Sequence, residues 1–144
     1  MEARLVASSV SVTERMSRQR RRDTKPEIEL RKALFKRGLR FRVNYAVPHL
    51  PRRSVDIAFT RLRVAVFVNG CFWHACPEHS TWPSANAGWW RAKLEKNRER
   101  DDETDRHLAE SGWMVIRVWE HEDLVVAAAA VEEAVKGRRA PAAL

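Results

Sequence analysis

The first half of the chain shows helical periodicity that gives way to apolar runs of strand length. Apolar side chains recur at helical spacing within residues 28–35, which predicts a helix that closes at Gly38. Asp23 or Thr24 can cap the start of this helix, and Pro26 suits its first turn. Short apolar runs bounded by turn residues then predict three strands, at residues 39–43, 54–59 and 63–68.

The second half is predicted to contain two helices around one further strand. A long helix is expected over residues 87–110, and Gly112 ends it. Residues 113–119 form an apolar strand pattern, and an Ala- and Val-rich helix follows over residues 124–136. This order of elements predicts an α/β fold, with a mixed central sheet flanked by helices, in one domain of residues 23–137.

Positive charge is concentrated towards the start of the chain. Residues 1–53 hold 15 of the 27 Lys and Arg residues against 5 acids, whereas the remainder has a net charge near −2. Such asymmetry favours a phosphate-rich partner. We interpret residues 1–22 as a flexible basic arm that orders on its partner, and residues 138–144 as a disordered tail. The arm has no apolar face, which favours nucleic acid over a membrane, with a solvated basic tail as the alternative. Its clustered arginines are Arg18, Arg20, Arg21 and Arg22.

The sequence shows no sign of secretion or membrane insertion. Its first residues lack the apolar centre of a signal peptide, and no apolar run approaches the roughly 20 residues that span a bilayer. A cytoplasmic location is therefore expected. In that compartment the two cysteines of the chain are expected to serve metal binding or catalysis rather than a disulfide.

The spacing of cysteines and histidines after the third predicted strand indicates a zinc site. Cys71, Cys76 and His79 lie within nine positions, as zinc ligands on a tight loop do. His121 is the best candidate for a fourth ligand, because it follows the strand expected to lie beside this loop. With four protein ligands the zinc would be structural. The alternative is a pair of free buried cysteines with unrelated surface histidines.

A carboxylate within an apolar strand and an imidazole in the zinc loop indicate hydrolytic chemistry. Asp56 interrupts the run from Val55 to Phe59, and a buried carboxylate requires a compensating cation. Arg53 could supply that charge, or Asp56 could bind Mg²⁺. His74 is left available as a general base. Glu27 could assist through a metal-bound water, or it could simply compensate the dipole of the first helix.

Paired aromatic residues favour a partner whose bases can be pried apart. Phe72 and Trp73 are adjacent on a loop, so alternation does not bury both of them in one core. Trp89 and Trp90 pose the same question at the start of the long helix. Apolar side chains act as wedges in proteins that unstack base pairs. One of Trp89 and Trp90 is expected in the core.

Across residues 13–123 the sequence resembles the very short patch repair (Vsr) mismatch endonucleases. The string from Gly70 to His74, together with Asp56 upstream and Trp119-Glu120 downstream, is a specific combination. The remaining matching pieces are residues 13–17, Arg22 to Thr24 with Glu27, Gly38-Leu39, Phe41 to Val43, Trp90, Lys93, Asn97, Arg100-Asp101 and Gly112-Trp113.

The resemblance implies a restriction-endonuclease-like fold with a structural zinc, and an enzyme that nicks DNA 5′ of the T in T:G mismatches left by deamination of 5-methylcytosine. It implies that Asp56 binds Mg²⁺, that His74 is the general base and that Glu27 holds a metal-bound water. Mismatch-repair proteins and a repair polymerase are the implied protein partners, and a nucleoid-associated monomer is expected. The implied contacts to DNA are made by Met16 with the arginine arm, Phe72, Trp73 and Trp90, and the implied zinc ligands are Cys71, Cys76, His79 and His121.

Position 69 departs from the family pattern. Val68-Asn69 stands where members carry Thr-His or Val-Asp just before the Gly-Cys pair. As a Mg²⁺ ligand Asn69 would offer only a neutral oxygen. Two alternatives to the mismatch nickase therefore stay open: a DNA-binding protein whose cleavage is impaired by Asn69, and a restriction-like nuclease that cuts unmismatched DNA.

Overall fold

A computed structural model of the chain describes residues 23–70 and 87–139. In these ranges the chain forms four strands and three helices, so the predicted α/β class is confirmed. In chain order the elements are α1 (Lys25–Lys36), β1 (Arg42–Ala46), β2 (Ser54–Phe59), β3 (Val64–Asn69), α2 (Ala87–Glu110), β4 (Met114–Trp119) and α3 (Leu124–Arg139).

The prediction of the first strand is wrong by three residues at each end. It was expected at 39–43, but β1 spans Arg42–Ala46. Gly38, at φ +86°, and Leu39 still belong to the end of α1: the Leu39 N–H donates to the Leu34 carbonyl at 3.1 Å. The Leu39 side chain is buried in the core. Residues 38–39 thus complete the end of the helix, and the strand begins only at Arg42.

The last helix also differs from its prediction, because α3 continues to Arg139 instead of ending at residue 136. The Arg138 guanidinium donates to three backbone carbonyls, including that of Gly112 at 2.6 Å and that of Leu62 at 3.0 Å. These bonds tie the end of α3 to the turns before β3 and β4. No helix among the described residues is long and apolar enough to cross a membrane.

The sheet is mixed, as predicted, with the strand order β1-β2-β3-β4. The first two pairings are antiparallel, whereas β3 and β4 are parallel and are connected through α2. In the parallel pair Asn69 lies opposite Trp119, so both strands end at the same edge of the sheet. Residues that follow β3 and β4 therefore start from neighbouring positions.

Helices cover both faces of the sheet. On one face Ile57 and Val66 pack in a cluster with residues of α1 and α3, such as Leu34 and Val131. On the other face Ala65 and Phe67 pack in a second cluster with Leu108 of α2. This three-layer arrangement buries both faces of β3, which explains the continuous apolar run of that strand.

Candidate active site

A cleft of about 1080 Å³ opens at the edge where β3 and β4 end. It is lined by the start of α1, by β2, by the ends of β3 and β4, and by one face of α2. Glu27, Asp56 and Asn69, three of the site residues predicted from the sequence, line this cleft. The fold therefore brings these three together from well-separated parts of the chain.

Asp56 reaches the cleft because strand pairing is interrupted around it. The β1–β2 ladder omits the pair Asn44–Asp56, and Asn44 has a φ of +49°. On the other side the β2–β3 pairs end at Ile57–Val66, and the Val68 N–H donates instead to Asp56 Oδ2 at 2.8 Å. The carboxylate thus replaces a backbone acceptor where β2 and β3 diverge, and that divergence opens the cleft.

The Asp56 carboxyl has an unusual affinity for its proton. Its pKa is raised from 3.8 to about 7, mainly by burial and next by the nearby Glu27 charge, against smaller lowering effects from the Val68 N–H, Arg117 and Arg31. Oδ1 of Asp56 accepts no hydrogen bond from the described part of the chain. The carboxylate is therefore desolvated, close to a like charge and poorly compensated.

Arg53 does not compensate Asp56, although it was a candidate from the sequence. Its guanidinium pairs with Glu103 of α2 at 2.9 Å and donates to Thr104 at 3.1 Å. Within residues 23–70 and 87–139, Asp56 forms no ion pair with any cationic side chain. Of the two partners considered for Asp56, a bound metal ion is therefore favoured over an arginine.

Glu27 is held rigidly in the first turn of α1, and its side chain is only 1% exposed. Its Oε1 accepts the Asp23 N–H at 2.7 Å and an Arg31 N–H at 3.3 Å, and the Thr24 hydroxyl lies 3.3 Å from Oε2. Burial raises the pKa of Glu27, and these donors oppose the rise. Glu27 thus occupies a position that compensates the helix dipole and also faces Asp56, so the two interpretations are compatible.

Asn69, at the end of β3, is buried with 5% exposure. Its Oδ1 accepts a hydrogen bond from Arg117 Nη1 at 2.9 Å. Arg117 is held in turn by three hydrogen bonds from Nε and Nη2 to Asp105 of α2, the shortest at 2.7 Å, and its guanidinium stacks over the Phe67 ring at 4.2 Å. The predicted contribution of Asn69 to Mg²⁺ binding stays a prediction, but its oxygen is already engaged by a cation.

Sequence reasoning missed Arg117 and Asp105. The signal for Arg117 was a single arginine within the apolar run of β4. The signal on α2 was the pair Asp101 and Asp105, spaced one helical turn apart and therefore on the same face. Neither pattern says which strand and helix lie together, and that information comes only from the fold.

Of the four predicted zinc ligands, His121 lies in the described part of the chain. His121 is exposed just beyond β4 and stacks on Trp119 with 6.4 Å between ring centroids. The Glu120 N–H donates to the Asn69 carbonyl at 2.9 Å, so His121 follows a segment that is bonded to the residue next to Gly70. This is the neighbourhood predicted for a zinc ligand. The described residues contain no cluster of three or more His, Cys, Asp or Glu side chains able to hold a metal, and Cys71, Cys76 and His79 lie outside those residues.

Among the predicted DNA-contacting residues, only Trp90 lies in the described part of the chain. It is 1% exposed, and the Trp89 ring packs against it edge-on at 4.5 Å between centroids. Trp90 is therefore the tryptophan of this pair that belongs to the core in this structure, while its entry into a base stack stays a prediction. Met16, Arg18, Arg20, Arg21, Arg22, Phe72, Trp73 and the proposed base His74 lie outside the described residues.

The fold and cleft define an α/β protein with two nearby carboxylates, of which Asp56 is poorly compensated. Comparisons with known proteins assign its family. The family model for the DNA mismatch endonuclease Vsr matches residues 9–80. The type II nicking enzyme V.NaeI of Lentzea aerocolonigenes is 48% identical over 118 residues, which cover 81% of this chain and 71% of that protein. The DNA mismatch endonuclease Vsr of Escherichia coli is 39% identical over 103 residues, covering 69% of this chain and 62% of that protein.

A further relative, the type II nicking enzyme V.NmeAIP of Neisseria meningitidis, is 39% identical over 106 residues, with 70% of this chain and 71% of that protein covered. The chain belongs to the Vsr family. It is thus a member of a family of DNA endonucleases, which hydrolyse phosphodiester bonds, and the resemblance noted from its motifs is confirmed.

Proposed function

We propose that the protein is a Mg²⁺-dependent, strand-specific endonuclease that nicks DNA 5′ of the T in T:G mismatches produced by deamination of 5-methylcytosine. Family membership supports DNA as the substrate. The mismatch specificity is supported by the residue motifs of the chain and by its similarity to the DNA mismatch endonuclease of Escherichia coli. The protein would act in the cytoplasm at the nucleoid, as a monomer, with mismatch-repair proteins and a repair polymerase completing the repair.

The observation that carries this proposal is the environment of Asp56. Its Oδ1 is left without a donor from the described residues, burial opposes its charge, and Glu27 adds a like charge nearby. Hard oxygen ligands of this kind suit Mg²⁺, which commonly takes one or two carboxylates along with waters and substrate phosphate. Asp56 would hold the ion and Glu27 would orient one of its waters. When bound, Mg²⁺ would supply charge stabilisation at the phosphate and lower the pKa of a water.

Apart from Trp90 and His121, the remaining roles are assigned to residues outside the described part of the chain. His74 would take the proton from the attacking water. Phe72 and Trp73, together with Trp90, would enter the base stack at the mismatch, and Met16 with the arginine arm would close on the duplex. Cys71, Cys76, His79 and His121 would hold a structural Zn²⁺ that shapes the loop after β3.

The zinc assignment has a direct test in Cys71→Ser. Loss of a structural zinc ligand should severely destabilise the domain and release the metal, as determined by thermal melting and elemental analysis. A variant without zinc that melts at the wild-type temperature would refute the assignment.

Two other functions have an observation in their favour. Engagement of Asn69 Oδ1 by Arg117 favours a DNA-binding protein with impaired cleavage, if a second ligand at position 69 is essential. The type II nicking enzymes among the relatives favour a restriction-like nuclease that cuts unmismatched DNA. The carboxylate pair argues against a pure binding protein, because binding alone does not need two like charges in a desolvated cleft.

Strand-labelled duplexes separate these functions. The protein is incubated with Mg²⁺ and duplexes that carry a central T:G pair in several flanking sequences, with T:A and C:G duplexes as controls. A nick confined to the T strand beside the mismatch is expected. Binding to T:G duplexes without a nick would indicate the cleavage-impaired binder, and equal cutting of all duplexes would indicate a restriction-like nuclease.

A further inference from the structure

The Arg117 guanidinium is held in place by contacts to Asp105, Phe67 and Asn69. Two of its nitrogens bind Asp105, with Nε at 3.0 Å and Nη2 at 2.7 Å from Oδ1, and its plane lies over the Phe67 ring. Nη1 donates to Asn69 Oδ1 at 2.9 Å and lies 3.7 Å from Asp101 Oδ1. A guanidinium with a bidentate carboxylate partner and an aromatic platform has little freedom to rotate.

This fixed guanidinium determines which way the Asn69 amide points. Arginine has only donors, so the amide atom that faces it must be the oxygen, and the NH₂ group must occupy the other branch. Within the described residues Asn69 Nδ2 donates to no acceptor, although Asn69 lines the cleft beside Asp56. The arrangement therefore leaves two N–H donors for a ligand in the cleft and withdraws the oxygen from any metal.

We propose that Arg117 and Asp105 are positioning residues that hold the Asn69 amide as a hydrogen-bond donor to a non-bridging phosphate oxygen of the bound DNA strand, in place of a metal-ligating role for Asn69. This proposal rests on the proposed function, because it needs a DNA strand in the cleft. It also explains how a neutral residue at position 69 serves a hydrolytic site whose carboxylate is Asp56.

The chemistry of the cleft suits a neutral donor at this position. Phosphate oxygens accept hydrogen bonds, and an amide can donate to them without neutralising Asp56 as a lysine or arginine would. An aspartate at position 69 would instead pair with Arg117 and present negative charge to the phosphate. Asp105 offsets the charge of Arg117 at 2.7 Å, and Asp101 adds a second carboxylate at 3.7 Å, so Arg117 brings no net positive charge to this part of the cleft.

The sharpest variant is Asn69→Asp, compared with wild type in nicking assays at several Mg²⁺ concentrations. We expect kcat to fall by about tenfold to a hundredfold, the range for a lost hydrogen bond to a charged group, without a lower Mg²⁺ requirement. Faster nicking by Asn69→Asp, or half-maximal activity at less Mg²⁺, would overturn the proposal, because it would show that an oxygen ligand is wanted there.

Arg117→Met should lower kcat in the same direction as Asn69→Asp, and Arg117→Lys should recover part of the loss, because lysine keeps one donor for Asn69 Oδ1. Arg37→Gln is the matched control: it also removes an arginine that bridges two elements through a carboxylate, Glu132 at 2.6 Å, but it lies away from the cleft. Equal losses of kcat in Arg37→Gln and Arg117→Met would refute a specific role of Arg117.

A readout that does not depend on nicking keeps this proposal separate from the proposed function. The side-chain ¹⁵N–¹H signals of Asn69 are identified by their loss in Asn69→Asp and are followed as metal-free T:G duplex is added to wild-type protein. A shift of these signals on DNA binding, abolished in Arg117→Met and retained in Arg37→Gln, is expected even if no duplex is ever nicked. Bound DNA that leaves the Asn69 signals unmoved would overturn the proposal.

Discussion

The two walls of the cleft differ in how the charges of their carboxylates are compensated. The acidic wall, formed by Glu27 and Asp56, has carboxylates whose pKa values are raised by burial and, for Asp56, by the other carboxylate. The guanidinium wall, formed by Asn69, Asp105 and Arg117, has a carboxylate and a cation bonded at 2.7 Å. Both walls contain acids on regular elements. Asp105 and Glu27 each accept an arginine N–H, at 2.7 and 3.3 Å, whereas Asp56 forms no ion pair within the described residues.

This difference indicates that the acidic wall is the one expected to bind a cation. A carboxylate that is desolvated without a partner destabilises the folded chain, and a bound cation would relieve that cost. A carboxylate already bonded to arginine has no such requirement. We therefore expect substitutions in the acidic wall to affect metal use and pH dependence, and substitutions in the guanidinium wall to affect stability and orientation.

Asp56→Asn should give the largest effect. Loss of the metal-binding charge is expected to lower the nicking rate by about a thousandfold or more, since metal charge stabilisation contributes several kcal/mol, while DNA binding is retained. The measurement is single-turnover nicking of a T:G duplex alongside equilibrium binding. Undiminished cutting would remove Asp56 from the metal site and break the contrast between the walls.

The same variant should change how stability depends on pH. The pKa of Asp56 is raised from 3.8 to about 7, so between these values the folded chain keeps a proton that the unfolded chain releases, and stability falls as the pH rises through this window. In Mg²⁺-free buffer Asp56→Asn should therefore be more stable than wild type at pH 8, by up to about 4 kcal/mol, since each pKa unit corresponds to about 1.4 kcal/mol. The two should converge below pH 4. Parallel denaturant-midpoint curves across the pH range would contradict this.

Arg117→Met tests the guanidinium wall by stability. It leaves Asp105, whose side chain is 34% exposed, and the buried Asn69 oxygen without their partner. A loss of about 1–3 kcal/mol in the free energy of unfolding is expected from urea denaturation. The matched variant Arg53→Met breaks a pair with Glu103, which is 55% exposed, and should cost about 1 kcal/mol or less. A larger loss of unfolding free energy in Arg53→Met than in Arg117→Met would contradict this prediction.

Glu27→Gln should sharpen the contrast within the acidic wall. Glutamine can still accept the Asp23 N–H, so α1 is expected to keep its start. Removal of the charge eliminates the second-largest cause of the raised pKa of Asp56, so that pKa should fall. Carbon-detected titration of the Asp56 carboxyl measures the change. An unchanged pKa of Asp56 would show that the Glu27 charge does not contribute to it.

The smallest effect is expected far from both walls, at Glu132. Arg37 and Lys136 lower the pKa of this partly exposed carboxyl, so the stability it contributes is present at neutral pH and is lost as the pH falls through its folded-state pKa. Glu132→Gln should remove this small acid-sensitive part of the stability, which salt should also weaken. A melting curve that loses stability in acid as fully as wild type does would contradict the assignment.

Much of the fold follows from local patterns in the sequence. The bounds of β2 and α2 coincide with their predictions, and Gly38 and Gly112, at φ +86° and +90°, follow the helices that they were expected to end. These positions depend on periodicity and on the conformational freedom of glycine, which are local properties.

The site was predictable only in outline. Asp56 was recognisable because a carboxylate is rare within an apolar strand, but the divergence of β2 and β3 that exposes it depends on pairing across the sheet. The engagement of Asn69 by Arg117 joins residues 48 positions apart through the parallel pairing of β3 and β4. Long-range pairings of this kind leave no local signature, so the partner of Asn69 could not be read from the sequence.

The location of the divalent-metal site decides between the two walls. Mn²⁺ in place of Mg²⁺ can be titrated into the protein bound to a T:G duplex and followed by electron paramagnetic resonance, with Asp56→Asn and Arg117→Met measured under the same conditions. We expect a protein-dependent Mn²⁺ site that is lost in Asp56→Asn and retained in Arg117→Met. Retention of that site in Asp56→Asn would show that the acidic wall is not where the cation binds.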